Sequence, residues 1–485
     1  MKKTSRASRF QSAFLLSLSI FCSASLSGQS KPDNSELPDA PKSMLLALAS
    51  HDAKPMAAPT SQTPAAQAEA ANGSPGEHPC LTQAEAEKLA IKYNPRVSAA
   101  HLLALAQHQV VRETRSAELP TATGNITAED AGNGGRISAG SLTASRLIEH
   151  AGAGGGLTQL ITDFGKTGNL VAFSKLQEKA QNASALASTE DIVLAADQAF
   201  FNALQAQALL KVAEQNVSTR QITEKQIAEL TRNKLKSTLD LSFADVNVSQ
   251  ARLLLLDAEN YVDSTMAALD AVLGLDRQVT YDLVDDPGGL SAPPADSGQL
   301  LQLAIAQRPD LQASTYGQQA AVKFSHAERD QMLPTISAVG TAGIVPVRPG
   351  EYYTSSWWGG IGVNMSIPIF NGFLYSAQAK EAVIRAQAAS EQSRDLRDRI
   401  VRDVRGAWLA ANTAYRRVAV TDELLREANL ALSLAQTRYQ LGLSSIVELS
   451  QAQLQQTDAA IGNTNAQYQY RVSMATLNYQ IGVTP

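Results

Sequence analysis

Three short stretches carry residue types that could do chemistry. Gly152-Ala153-Gly154-Gly155-Gly156 has the glycine density of a loop that cradles phosphate, and Asp163-Phe164-Gly165 copies the magnesium-binding triplet of kinases. His101 and His108 stand seven residues apart on a stretch that reads as helix, a spacing compatible with one face. Each fails on its surroundings. A dinucleotide loop must open a helix, whereas the chain after Gly156 continues with strand character. A kinase needs a His-Arg-Asp loop, and the chain contains none. The histidines have no cysteine or paired carboxylate at ligand spacing, so no metal shell closes. Gly-x-Ser-x-Gly is missing too. The sequence therefore reads as a non-enzyme with no metal or cofactor. Its glycines suit a strand with one crowded face, and Asp163-Phe164-Gly165 suits a turn from strand into helix.

The elements that carry these residues are written twice. "LAIKYNP" (89–95) returns as "LAIAQRP" (303–309), a spacing of 309 − 95 = 214. "LPT" at 119–121 returns at 333–335 with the same spacing. Beyond it the offset becomes 208: "QLITDFG" (159–165) faces "IPIFNGF" (367–373). At 208 the chain also pairs Ile192 with Ile400, Ala199 with Ala407, Phe200 with Trp408, and "LKSTLDLSFA" (235–244) with "LSSIVELSQA" (443–452). The six residues missing from the second copy fall between the two motifs, where an exposed loop is expected.

Each copy predicts a helix (82–118; 298–332) with a proline in its early turns, then strands (120–162; 334–370), then two long helices meeting near Lys234 and Gly442. In "WWGGIGVNMSIPI" the residues Trp357, Ile361, Val363, Met365, Ile367 and Ile369 share one parity, and Gly360, Gly362, Asn364, Ser366 and Pro368 the other. Such alternation over about 12 residues marks a strand with one apolar face and also matches an outer-membrane barrel strand. Copy one keeps the parity weakly, through Ala153, Leu157 and Ile161. No proline interrupts 168–233, which at 1.5 Å per residue is roughly 100 Å of helix, and 374–440 matches it. Val420, Leu424, Ala428, Ala431 and Ala435 form a narrow seam suited to coiled-coil packing.

Length alone suggests about three domains, but the repeat favours two copies of one unit with extensions. Lys2, Lys3, Arg6 and Arg9 precede "AFLLSLSIF", a run too short to span a bilayer, so residues 1–28 read as a cleaved export signal. Bulky Phe21 before Cys22 argues against lipidation there. Residues 29–81 are rich in Pro, Ala and Ser and read as a flexible leader. Repeat one then spans 82–275, a linker 276–297 and repeat two 298–485. No other segment is apolar enough for a membrane helix, and without the signal Cys80 stands alone. The mature charge, (41 − 4) − 46 = −9, speaks against nucleic acid.

With these motifs in this order, twice, residues 82–485 resemble the TolC family of outer-membrane efflux proteins. "TRYQLGLSSIVELSQAQ" (437–453) is similar to that family's helix-hairpin tip. The resemblance implies a mainly α protein with a membrane β-barrel. Four strands per protomer would enter a trimeric 12-stranded barrel, above a long α-helical coiled-coil barrel built from the two repeats. "DLVDDPGGLSAPPADSG" (282–298) would contribute to an equatorial belt. Physics supports the oligomer, since four strands leave two edges that lipid cannot pair. The implied role is passive conduction across the outer membrane, with a periplasmic adaptor and an inner-membrane pump as partners, in efflux or type I secretion. A periplasmic coiled-coil adaptor or structural protein that never enters lipid is the rival, and the alternation at 357–369 separates the two.

The resemblance also assigns sites. Leu235, Ser237, Gly442, Leu443 and Ser445 sit where the long helices turn, and they would contact adaptor hairpins besides capping helices. Lys234 stands where copy two has Gly442, so the first tip is expected to run helical straight through or to turn differently. Asp240 and Glu448 occupy one place in the two copies (448 − 240 = 208). Both suit a helix start and both are gate candidates just inside each tip, and the resemblance puts Glu448 in a constriction at the periplasmic mouth, three copies forming a ring. Gln451 and Ser444 stand where relatives can carry a second acid and a clamping arginine, so a single, weaker acidic constriction is expected.

Overall fold

The computed structural model describes residues 80–129, 136–139, 142–146, 150–275, 281–285, 290–344 and 357–483. The export signal and most of the leader lie outside them. After β1 (Cys80–Leu81), the first copy comprises α1 (Gln83–Tyr93), α2 (Pro95–Ser116), β2 (Thr121–Glu129), β3 (Arg136–Ala139), β4 (Leu142–Arg146), β5 (His150–Thr162), α3 (Lys166–Arg232) and α4 (Thr238–Leu273). After β6 (Asp282–Leu283) in the linker, the second comprises α5 (Ser297–Gln307), α6 (Pro309–Asp330), β7 (Thr335–Ile344), β8 (Trp357–Ser366), α7 (Leu374–Gln440) and α8 (Ile446–Ile481). Both α3 and α7 are 67 residues long, both α4 and α8 are 36, and the starts of each pair differ by 208.

The first helix of each copy is two helices, not the continuous one its periodicity suggests. Thr82 and Glu85 form a reciprocal capping box that starts α1, and Asn94 ends it. Asn94 then caps α2, its side chain accepting from Arg96 N, with Pro95 at the first helical position. Proline cannot supply the N–H that α1 would need to continue, yet it suits a helix start. Arg308 and Pro309 break the second copy at the same place, between α5 and α6.

The same packing is built twice around these breaks. Ala86 and Ala90 of α1 bury against Ile192 and Ala196 of α3 and Leu269 and Leu273 of α4. Their counterparts Leu300, Ala304, Ile400, Val404, Leu477 and Ile481 form the second cluster from α5, α7 and α8. Residue for residue these are the offsets 214 and 208. A third cluster joins the far ends of the long helices through Ile227, Ala244, Ala435, Tyr439, Ile446 and Leu449.

The seam on α7 keeps Ala428 and Ala435 of the five expected residues and departs from the other three. Val420 and Leu424 are more than half exposed, and Ala431 is exposed as well. The buried line runs through Ala411, Ala414, Val418, Ala428, Ala435 and Tyr439. With the half-buried Thr421, Leu425 and Leu432 it keeps heptad steps of three and four. Two stripes on this helix satisfy that spacing, and only the packing against α8 chooses between them.

The leader and the linker are also less separate than expected. Cys80 and Leu81, the last leader residues, pair in parallel with Asp282 and Leu283 of the linker, and Leu81 is buried. Tyr470 donates to the Ser291 carbonyl, and Trp408 Nε1 donates to that of Pro294 at 2.8 Å. The linker is thereby fastened to α7 and α8.

Four strands form one antiparallel sheet in the order β2-β5-β7-β8, while β3 and β4 pair with each other. The strand in "WWGGIGVNMSIPI" ends at Ser366, so Ile367 and Ile369 follow it rather than extend it. Pro368 has no N–H for a ladder, which stops the pairing there. Among the described residues no helix is long and apolar enough to cross a membrane.

Candidate functional site

The register of the sheet sorts its residues onto two chemically different faces. Ile361 pairs with Gly340, Gly340 with Leu157, and Leu157 with Ala122. Directly opposed residues share a face, so one face gathers Trp357, Ile361, Val363, Met365, Ile336, Ala338, Ile344, Leu157 and Ile126. The other gathers Asn364, Ser366, Thr335, Ser337, Thr341, Thr158, Thr123 and Asn125. The apolar face is not covered by the chain itself: Ile361 is 97% and Ile126 89% exposed. An uncovered apolar patch of this kind marks a surface made for lipid or a partner. Ile367 and Ile369 are exposed as well, just beyond the strand. Gly152-Ala153-Gly154-Gly155-Gly156 lies within β5, as the strand reading of those glycines expects.

The sheet passes into the long helices through one backbone turn used twice. Phe164 and Gly165 have φ of +58° and +116°, and their counterparts Gly372 and Phe373 have +65° and +66°. Glycine and phenylalanine have changed places within a conserved left-handed pair of residues. In copy one Asp163 steadies the turn, its carboxylate accepting from Gly165 N at 3.2 Å and Thr167 N at 2.7 Å. That is the role of the triplet that imitates a kinase.

At the other end of α3, roughly 100 Å away by helix rise, lie the two tips. Lys234 adopts φ +57° and Gly442 φ +73°. Leu235 N donates to the Leu230 carbonyl and Leu443 N to that of Arg438, both at 2.8 Å, a Schellman-type ending in each copy. The first tip is therefore neither straight nor differently turned. Lysine accepts the left-handed conformation there at a small energetic cost, because the rest of the turn dictates it. Ser237 and Ser445 cap the helices that follow, and Leu235 and Leu443 project two-thirds exposed.

Asp240 and Glu448 hold the third helical position in these caps but differ in their partners. Asp240 closes a capping box on Ser237. Glu448 reaches back across the turn instead, its Oε1 accepting from Arg438 Nε at 2.9 Å. Sequence reasoning missed Arg438, which lies ten residues upstream, because that distance closes only when the turn folds. It also missed Lys236, whose ammonium sits 4.3 Å from the centre of the Tyr439 ring. Burial and the charge of Asp240 push the Tyr439 hydroxyl pKa up.

Two further polar clusters brace the helices. His108 Nδ1 lies 2.7 Å from Glu178 Oε1, an ion-pair geometry rather than a ligand set. Gln83 Nε2 donates to Glu87 Oε1 at 3.1 Å and to Asp197 Oδ1 at 2.9 Å, between α1 and α3. Burial, with Glu87 alongside, raises Asp197 to about 7.

Comparison with known proteins points one way. The family model described as outer membrane efflux protein matches residues 300–483. The outer membrane protein TolC of Salmonella enteritidis is 22% identical over 346 residues, covering 67% of this chain and 68% of that protein. Among solved structures, the outer-membrane channel OprN superposes with a TM-score of 0.73 at 16% identity, covering 83% of this chain and 90% of OprN. The CmeC outer membrane channel of Campylobacter jejuni gives 0.72 at 19% identity, covering 82% and 85%.

Proposed function

We propose that the chain is a TolC-family protein of the Gram-negative outer membrane and the passive exit duct of a tripartite efflux or type I secretion system, a reading supported by the family model over residues 300–483, the similarity to TolC and the shared fold with OprN. One observation carries the reading: a four-stranded sheet, apolar on one face and polar on the other, opens onto helices roughly 100 Å long. Lipid on one face and water on the other is the environment that alternation suits.

Within the sheet, β2 and β8 each keep one unpaired edge, and hydrocarbon offers no partner for a backbone N–H or carbonyl. Closure needs further copies, and three give twelve strands. The exposed stripe of Val420, Leu424 and Ala431 on α7 then finds its partner on a neighbouring protomer. Leu235 and Leu443, with the capped turns at Ser237, Gly442 and Ser445, offer an adaptor two similar tips. Glu448, and Asp240 at the equivalent place in the first copy, line the narrow mouth. Transport needs no chemistry in the duct, since a pump in the inner membrane supplies the driving force.

Recovery from outer membranes as a trimer that dissociates only on heating, with conductance in planar bilayers, is the expected result. A monomer released by high salt without detergent would instead favour a periplasmic coiled-coil protein that does not span the membrane.

A further inference from the structure

Between α3 and the hairpin of α7 and α8 lies a cavity of about 430 Å3. Lys211, Asn216 and Arg220 line it from α3, Gln436 from α7, and Gln453 and Thr457 from α8, with no carboxylate in its wall. Arg220 is 95% buried, at 5% exposure. Its Nε donates to Asn216 Oδ1 at 2.8 Å, and its two remaining nitrogens bond to no described residue. Asp458, exposed on α8, is the acid whose charge it feels, but the two close no ion pair.

The neighbouring polar groups do not fill the gap. Asn216 Oδ1 already accepts from Thr457 Oγ1 at 3.2 Å, and Gln453 Nε2 donates to Thr223 Oγ1 at 3.3 Å. Lys211 adds a second cation with no acid paired to it. A buried guanidinium with no acid in ion-pair contact is costly, and burial lowers its pKa despite the charge of Asp458. The helix packing does not demand this arrangement. At the same places in the second copy, 208 residues on, stand Ala419, Leu424 and Ala428 for Lys211, Asn216 and Arg220.

We propose that this cavity binds a small oxyanion, a phosphate or a carboxylate, held by the free guanidinium nitrogens of Arg220 and the ammonium of Lys211. Such an anion accepts from both cations by charge-assisted bonds, the strongest available to these groups. It bridges α3 of the first copy to α7 and α8 of the second, and so ties the two hairpins together towards their tip ends. The site stands whether or not the sheet spans a membrane.

The test uses the full chain in detergent, titrated calorimetrically with inorganic phosphate and separately with succinate, at ionic strength matched by sodium chloride. Saturable binding of either anion is expected, with a raised melting temperature. Response to phosphate alone identifies a phosphate site, to succinate alone a carboxylate site, and to both a general oxyanion site. Arg220→Gln should weaken binding by about tenfold or more. Lys211→Gln, at an exposed position, should weaken it less while leaving the fold intact, and carries the test if the first variant misfolds. No saturable binding, or binding unchanged by the substitutions, overturns the proposal.

Discussion

Arg438 and Glu448 join the outgoing and returning helices of the second tip, Nε to Oε1 at 2.9 Å, whereas the first copy has no such pair. Leu230 stands where Arg438 does, and Asp240 turns to its own cap instead. The tips are alike in backbone and different in charge.

That difference makes the second tip the electrostatic one. Both partners are about half exposed, so the pair is worth at most about 1 kcal/mol to the fold. In planar bilayers Glu448→Ala should reduce cation preference and relieve block by multivalent cations. Arg438→Gln should do the reverse by freeing the carboxylate, with little change in melting temperature. Unchanged selectivity in both variants would leave Glu448 a helix-start residue only.

The sheet predicts an asymmetry between neighbours in sequence. Ile361→Arg places a charge on the apolar face and should cost about 2–4 kcal/mol near the bilayer midplane. Asn364→Arg, on the opposite face, should be tolerated. The readout is the yield of heat-modifiable protein in outer membranes, and equal damage from both substitutions would count against the two-faced sheet.

The left-handed residues of the tips should respond in opposite directions. Lys234→Gly relieves a side chain held at φ +57° and should stabilise by up to about 1 kcal/mol. Gly442→Ala imposes the same conformation on a side chain and should destabilise by about 1 kcal/mol. Denaturant melts of the purified protein check both signs.

Asp197 predicts a pH dependence. Its carboxyl is raised from 3.8 to about 7 in the fold, first by burial. Between those values the native state holds a proton that the unfolded chain has released. Stability therefore falls as pH rises, by up to about 1.4 kcal/mol per unit, and the loss is complete above about pH 7. Asp197→Asn keeps an acceptor for Gln83 without the charge. Its melting temperature should fall less between pH 5 and pH 8 than that of the parent protein, and an identical fall would remove Asp197 as the cause.

Much of the architecture was local, and so it was legible in the sequence. Long proline-free stretches gave the extents of α3 and α7 to within two residues, because helical hydrogen bonds run between near neighbours. The alternation at 357–365 gave the apolar face of β8, because strand geometry fixes parity. The breaks at Asn94 and Arg308 were also in reach, since Pro95 and Pro309 stand at helix starts. What depended on distant parts of the chain was not legible. Val420 and Ala428 obey the same periodicity, and only the position of α8 buries one of them. The left-handed turn at Lys234 is imposed by the closing of the hairpin, against the preference of its own side chain. Cys80 with Asp282, Arg438 with Glu448, and Arg220 with its cavity all need chain brought back from elsewhere, so tertiary structure alone decided them.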